Sequence, residues 1–210
     1  MNKYLTGIII TVVLCLMVTA VIAGEQTEIE LRADELIIDD LEGEVIATGN
    51  VSFREGELSL TTQKLTANQD LEQIEAAGEV VFKQQQQRMS GDYLIYNNQS
   101  QQGRLEGDPR VEADGLLITA EQFEFDLAAE QFTATGQVYL EDQEEDFVAY
   151  AERLEFYQQR EQVILSGNVK AERGEQKMDA QEIVFDLATR KMEAKGETRL
   201  ILPGRQRGDN

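Results

Sequence analysis

Six glycines, Gly49, Gly78, Gly107, Gly136, Gly167 and Gly196, follow one another at intervals of 29, 29, 29, 31 and 29 residues. Sixteen residues before each stands a small or compact residue: Ala33, Thr62, Gly91, Ala120, Ala151 and Ala180. Two landmarks that keep register along most of the chain mean that one supersecondary unit is written six times. A period in this range belongs to stacked architectures, in which a single unit cannot bury its apolar face alone.

Around each glycine the apolar residues fall at −4, −2, +2 and +4, as in Val45, Ala47, Val51 and Phe53, or Phe132, Ala134, Val138 and Leu140. The positions between them are mostly polar, and this alternation predicts a strand with one dry face and one wet face. The other half of the unit starts with an apolar residue two before the small one and resumes three and five after it. Examples are Leu60, Leu65 and Ala67, or Ile118, Phe123 and Phe125. The switch from an even to an odd offset predicts a bulge or corner at the small residue, turning both parts toward one interior. Of all these interior places only Gly103, Pro109 and Thr198 are not apolar.

A helical period of i, i+3, i+4, i+7 is absent, and Val, Ile, Phe, Tyr and Thr are concentrated in the alternating stretches. Turn-like segments such as Arg54-Glu55-Gly56-Glu57, Asn97-Asn98-Gln99-Ser100 and Glu172-Arg173-Gly174-Glu175 separate them. Pro109 replaces a valine and removes one ladder donor, which predicts an edge or a kink there. The expected fold is all-β: about a dozen short antiparallel strands in one elongated, wrapped structure.

Lys3 precedes an uncharged run from Leu5 to Ile22, and Val21-Ile22-Ala23-Gly24 offers the small residues that a signal peptidase accepts. Residues 1–23 are expected to be a cleaved export leader, placing the domain in the periplasm. The alternative is an uncleaved anchor, since roughly 18 apolar residues nearly span a bilayer. Residues 24–202 form one expected domain, and 203–210 a polar tail. The remaining chain has neither cysteine nor histidine, so burial and strand pairing must stabilise it. Its net charge is 18 − 40 = −22 once Lys3 is lost, which argues against nucleic acid as a partner.

Without histidine or cysteine, nucleophilic catalysis and a zinc site have nothing to build on. The cluster Glu141–Asp146 lacks the spacing of a calcium loop and lies at the two-residue insertion of the fifth repeat, so it reads as a charged loop. Acids at equivalent places, Asp34, Asp92, Glu121 and Glu152, read as scaffold that bonds a backbone group at the corner, not as a hydrolase pair. The chain is expected to be no enzyme and to use no cofactor or metal.

The apolar rows remain as stripes along the repeat axis. One reading closes them into an ordinary core, making the protein a scaffold that acts through its edges. The other opens them into a trough for an aliphatic ligand, where each methylene removed from water contributes roughly 0.8 kcal/mol. The trough reading assigns lipid contact to Leu36, Ile38, Val51, Phe53, Leu65, Val80, Phe82, Leu94, Tyr96, Phe123, Phe125, Phe132, Val138, Leu140, Leu154, Phe156, Val169, Ile183 and Phe185.

The recurring segments Ala33-Asp34-Glu35-Leu36 with Ala47-Thr48-Gly49-Asn50-Val51, and Ala120-Glu121-Gln122-Phe123-Glu124-Phe125-Asp126 with Ala134-Thr135-Gly136-Gln137-Val138, carry a family likeness. They resemble the OstA-like repeat of lipopolysaccharide-transport proteins of the LptA/LptC type, over about residues 29 to 202. The resemblance implies a twisted, open β-jellyroll whose interior holds the acyl chains of lipopolysaccharide. It also implies partners: other jellyrolls of that kind at the inner and outer membranes, and a head-to-tail homo-oligomer. A cleaved leader fits an LptA-like bridge, and a retained one an LptC-like tethered component.

Overall fold

The protein is described here by a computed structural model covering residues 29–113 and 115–203. The expected leader and nearly all of the polar tail lie outside the described residues. Within them, the repeat resolves into sixteen strands joined in a single antiparallel network. Eight are long: β3 (Glu44–Glu55), β4 (Leu58–Asn68), β5 (Gln73–Gln84), β6 (Gln87–Asn97), β11 (Gln131–Asp142), β12 (Phe147–Tyr157), β13 (Gln162–Arg173) and β14 (Gln176–Asp186). The other eight are half-strands that succeed one another in pairs. These are β1 (Ile29–Arg32) with β2 (Glu35–Asp39), β7 (Gln102–Glu106) with β8 (Arg110–Ala113), β9 (Leu116–Thr119) with β10 (Gln122–Asp126), and β15 (Lys191–Lys195) with β16 (Arg199–Ile201). Eight long strands and four such pairs make the dozen expected.

Every long strand crosses a corner, and the corner divides the structure into two walls. One wall contains β1, β8, β9 and β16 with the adjoining halves of the long strands, and the other contains β2, β7, β10 and β15 with the remaining halves. Phe147 of the first wall meets Phe185 of the second edge to face, ring centroids 5.6 Å apart, so the walls face each other across the apolar core.

The corner is a bulge carried by the glycine strand. On β11, Gly136 and Gln137 together oppose one residue, Glu152, between the pairs Thr135–Arg153 and Val138–Ala151. Both bulge residues take positive φ, 80° at Gly136 and 46° at Gln137. The sequence placed the slip at the small residue; its strand supplies only the single residue opposite the bulge. The small position is crowded for a different reason: a Cβ on Gly91 would lie 2.8 Å from Leu105 Cγ and 2.9 Å from the Glu106 carbonyl.

The recurring acids sit over these corners. Asn50 Nδ2 donates to Asp34 (2.8 Å), Gln137 Nε2 to Glu121 (2.7 Å) and Asn168 Nδ2 to Glu152 (3.0 Å). They are scaffold, as expected, but these carboxylates accept from the side-chain amide that follows the glycine, not from a backbone donor. The acid's own backbone N–H closes the corner instead, bonding Gly49 O from Asp34 (2.8 Å) and Gly136 O from Glu121 (2.9 Å).

Six residues after the small position, a second acid or amide caps the turn into the next strand. Oδ1 of Asp39 accepts from Leu41 N, that of Asn97 from Ser100 N, that of Asp126 from Ala129 N and that of Asp186 from Thr189 N. The fifth repeat has Tyr157 at this place, and its turn winds instead into a 3-10 turn over Gln158–Arg160.

Pro109 is buried and separates β7 from β8 in the middle of the network, with β6 on one side and β9 and β10 on the other. Of the two sequence-level options, edge and kink, the structure has the break. The missing donor is absorbed by ending one ladder and starting another, while the Pro109 carbonyl still accepts from Ala120 N (3.3 Å).

The true edges are the two ends of the stack. Among the described residues β1 and β2 pair only with β3, and β15 and β16 only with β14. Large apolar side chains are exposed at these ends, where no further described strand covers them: Leu36 is 49% exposed against 0% for its counterparts Phe123 and Ile183, and Ile38 60% against 1% for its counterpart Phe156.

Candidate functional site: an apolar trough between the walls

The walls part most over the first three repeats and into the fourth. There they enclose a cavity of about 480 Å³ lined almost wholly by apolar side chains. Leu31, Phe53, Leu58, Leu60, Phe82 and Met89 come from one wall, and Val45, Leu65, Ala67, Ile74, Leu94, Tyr96, Phe125 and Phe132 from the other. Ile29, Leu71, Asn98, Gln101 and Leu127 complete it at the strand ends and turns.

Gly103 shapes the rim. Other repeats place Val45, Ile74, Phe132, Val163 or Met192 here. Tyr96 and Phe125 flank Gly103 in register on its two sides and stack on each other over it, centroids 6.0 Å apart. A Cβ on Gly103 would meet the Phe125 ring directly. The missing side chain therefore lets two half-buried aromatic rings lie flat along the trough.

Beyond the fourth repeat the walls close. Phe123 and Phe132 pack at 5.0 Å on one wall within the fourth repeat, and beyond it Phe156, Leu154, Leu165 and Ile183 are completely or almost completely buried. The Phe147–Phe185 contact then joins wall to wall, leaving a separate cavity of about 110 Å³ near the last repeats. No residue lines both cavities. The interior is thus not one passage running the length of the chain, as continuous stripes suggested. Phe147 of the fifth repeat and Phe185 of the sixth bridge the gap there.

The expected contact residues divide accordingly. Phe53, Leu65, Phe82, Leu94, Tyr96, Phe125 and Phe132 line the trough, and Leu140 and Phe185 line the smaller cavity. Val51, Val80, Phe123, Val138, Leu154, Phe156, Val169 and Ile183 are core residues facing no cavity. Leu36 and Ile38 lie at the open end of the stack. The sequence reading missed the turn leucines Leu71 and Leu127, and a leucine in a polar turn does not by itself mark an inward side chain, since Leu41 is 96% exposed.

The electrostatics are quiet inside and uneven outside. Among the described residues no group of His, Cys, Asp or Glu is placed to hold a metal ion, the Glu141–Asp146 segment included. Burial pushes the Asp142 carboxyl above its ordinary range, with the backbone N–H groups of Glu145 and Glu144 acting against it. Residues 24–169 carry 9 − 32 = −23, whereas residues 170–210 carry 9 − 8 = +1.

The chain belongs to the family described as LptA/(LptD N-terminal domain) LPS transport protein, whose model matches residues 30–131 and 127–191. It is 31% identical over 93 residues to the LPS-assembly protein LptD of Nitrosomonas eutropha, covering 44% of this chain and 13% of that protein's length. A solved structure of LptH, titled the LptA homologous periplasmic component of the lipopolysaccharide transport device of Pseudomonas aeruginosa, is 13% identical. That alignment covers 85% of this chain and 96% of LptH, with a TM-score of 0.26.

Proposed function

We propose that this protein binds the acyl chains of lipopolysaccharide in the trough of its first four repeats and carries the lipid through the periplasm between the inner and outer membranes, without catalysis. The observation that carries this reading is the 480 Å³ apolar cavity, held open between two walls that close elsewhere. A stretch of about a dozen methylenes laid there contributes on the order of 10 kcal/mol gross, before ordering costs. The strongly acidic surface over the same repeats keeps the anionic headgroup in solvent, so only acyl chains enter.

The two ends favour head-to-tail association. Extending the β7–β10 register to a second copy sets Lys195 against Glu35 and Lys191 against Asp39 of that copy. Met192 then meets Ile38, and, by the β8–β9 register, Leu200 meets Leu31. Arg199 faces Arg32, which already holds Glu30 at 2.5 Å. Such pairing covers the exposed apolar ends and satisfies the free strand edges without closing a ring.

Native mass spectrometry of the purified chain reads both claims. The expected spectrum has a lipopolysaccharide adduct, no adduct with the O-deacylated saccharide, and dimers that dissociate at high salt. A chain that retains the saccharide as well as the intact lipid, or neither, overturns the trough; a strict monomer overturns the head-to-tail contact.

A further inference from the structure

The smaller cavity contains a group that the trough lacks. Asp142 ends β11 where the insertion of the fifth repeat lengthens the turn, and it is only 2% exposed. Its Oδ1 caps that turn by accepting from Glu144 N (3.0 Å) and Glu145 N (3.1 Å). Oδ2 has no hydrogen-bond partner among the described residues, and Asp142 forms part of the cavity wall. The turn caps Asp39, Asp126 and Asp186 remain partly exposed, so water serves their second oxygen. A buried carboxylate oxygen without a donor is costly, and a bound donor removes that cost.

We propose that this cavity binds a small amphiphile carrying a primary ammonium group on an alkyl chain. The chain lies against Val163, Phe185, Leu187 and Met192, and the ammonium donates to Asp142 Oδ2. Two cations also line the cavity, but both are occupied: Arg173 pairs with Glu145, and Lys177 with Glu172 (2.8 Å). An anionic head would therefore meet carboxylates with no free cation lining the cavity to offset them. A hydroxyl offers a weaker bond than a charged donor does. A volume of about 110 Å³ has room for roughly eight to ten water-sized groups, which suits an octyl chain better than a long acyl chain. The site shares no residue with the trough and does not depend on lipopolysaccharide binding.

The test titrates octylamine, 1-octanol and octanoate into the full chain, reading affinity by calorimetry and position by amide chemical shifts. Octylamine is expected to bind tightest, shifting residues of β11, β13 and β14. Asp142→Asn keeps the Oδ1 cap and should weaken octylamine about tenfold or more while leaving octanol unchanged. Met192→Trp, at the half-exposed mouth, should weaken both. The proposal is overturned if Asp142→Asn binds octylamine as well as the unaltered protein does. It is equally overturned if the unaltered protein prefers octanoate or octanol, a comparison that needs no variant.

Discussion

Gly136→Ala is expected to lower the melting temperature by about 10 °C, and Gly43→Ala by only a few degrees. Both glycines have positive φ, 80° and 69°, so each substitution costs about 1–2 kcal/mol of left-handed strain. Only at Gly136 does the new Cβ also collide, 2.7 Å from Glu121 Cδ and 2.8 Å from Glu121 Cβ, whereas nothing lies within 4 Å at Gly43. Relieving that collision pushes Glu121 off the corner and breaks its 2.7 Å bond to Gln137. The combined loss is about 3 kcal/mol, and in a domain of this size each kcal/mol moves the midpoint by about 2–4 °C. Thermal unfolding followed by circular dichroism measures both. Equal shifts would mean that the carboxylate over the glycine does not hold the corner.

The second large effect concerns binding. Phe125→Glu should reduce lipopolysaccharide retention at least tenfold, Phe125→Leu should keep most of it, and Glu124→Gln, one residue along on the outer face, should change little. Phe125 is only half-buried, lines the trough and stacks on Tyr96. A carboxylate there must either be desolvated by the acyl chain or exclude it, at a cost of more than about 1.4 kcal/mol. Because the ring lies at a rim and not in the closed core, the protein should tolerate the change without unfolding. Binding isotherms on variants with unchanged melting curves decide the matter. Equal losses at positions 124 and 125 would place the ligand outside the trough.

These two predictions draw on different levels of what the sequence makes readable. The corners were legible because a left-handed backbone demands glycine and because alternation changes parity beside it. Which strand bulges was not, since Gly136-Gln137 and the single Glu152 give the same parity from either side. The turn caps Asp39, Asn97, Asp126 and Asp186 recur six residues after the small position, but their role required the backbone N–H groups beyond them.

The trough was legible only in outline. Phe123 and Phe125 look equivalent in a strand pattern, yet one is closed into the core and the other lines the cavity. The difference arises from what faces each across the gap. Leu105 fills the space beside Phe123, whereas Gly103 leaves space beside Phe125. Likewise, no strand pattern announces that Phe147 reaches Phe185, because the two lie on strands separated by β13. Alternation tells which side chains turn inward; the distance between walls tells which of them meet.

Site-specific photo-crosslinking with intact lipopolysaccharide locates the lipid directly. With a photoreactive side chain in place of Phe53, Phe82 or Phe125, strong lipid adducts are expected. The same probe at outward-facing Glu124, or at Phe185 beyond the closed centre, should give few. Adducts at Phe185 equal to those at Phe82, or none at any trough position, would contradict an acyl-binding trough confined to the first four repeats.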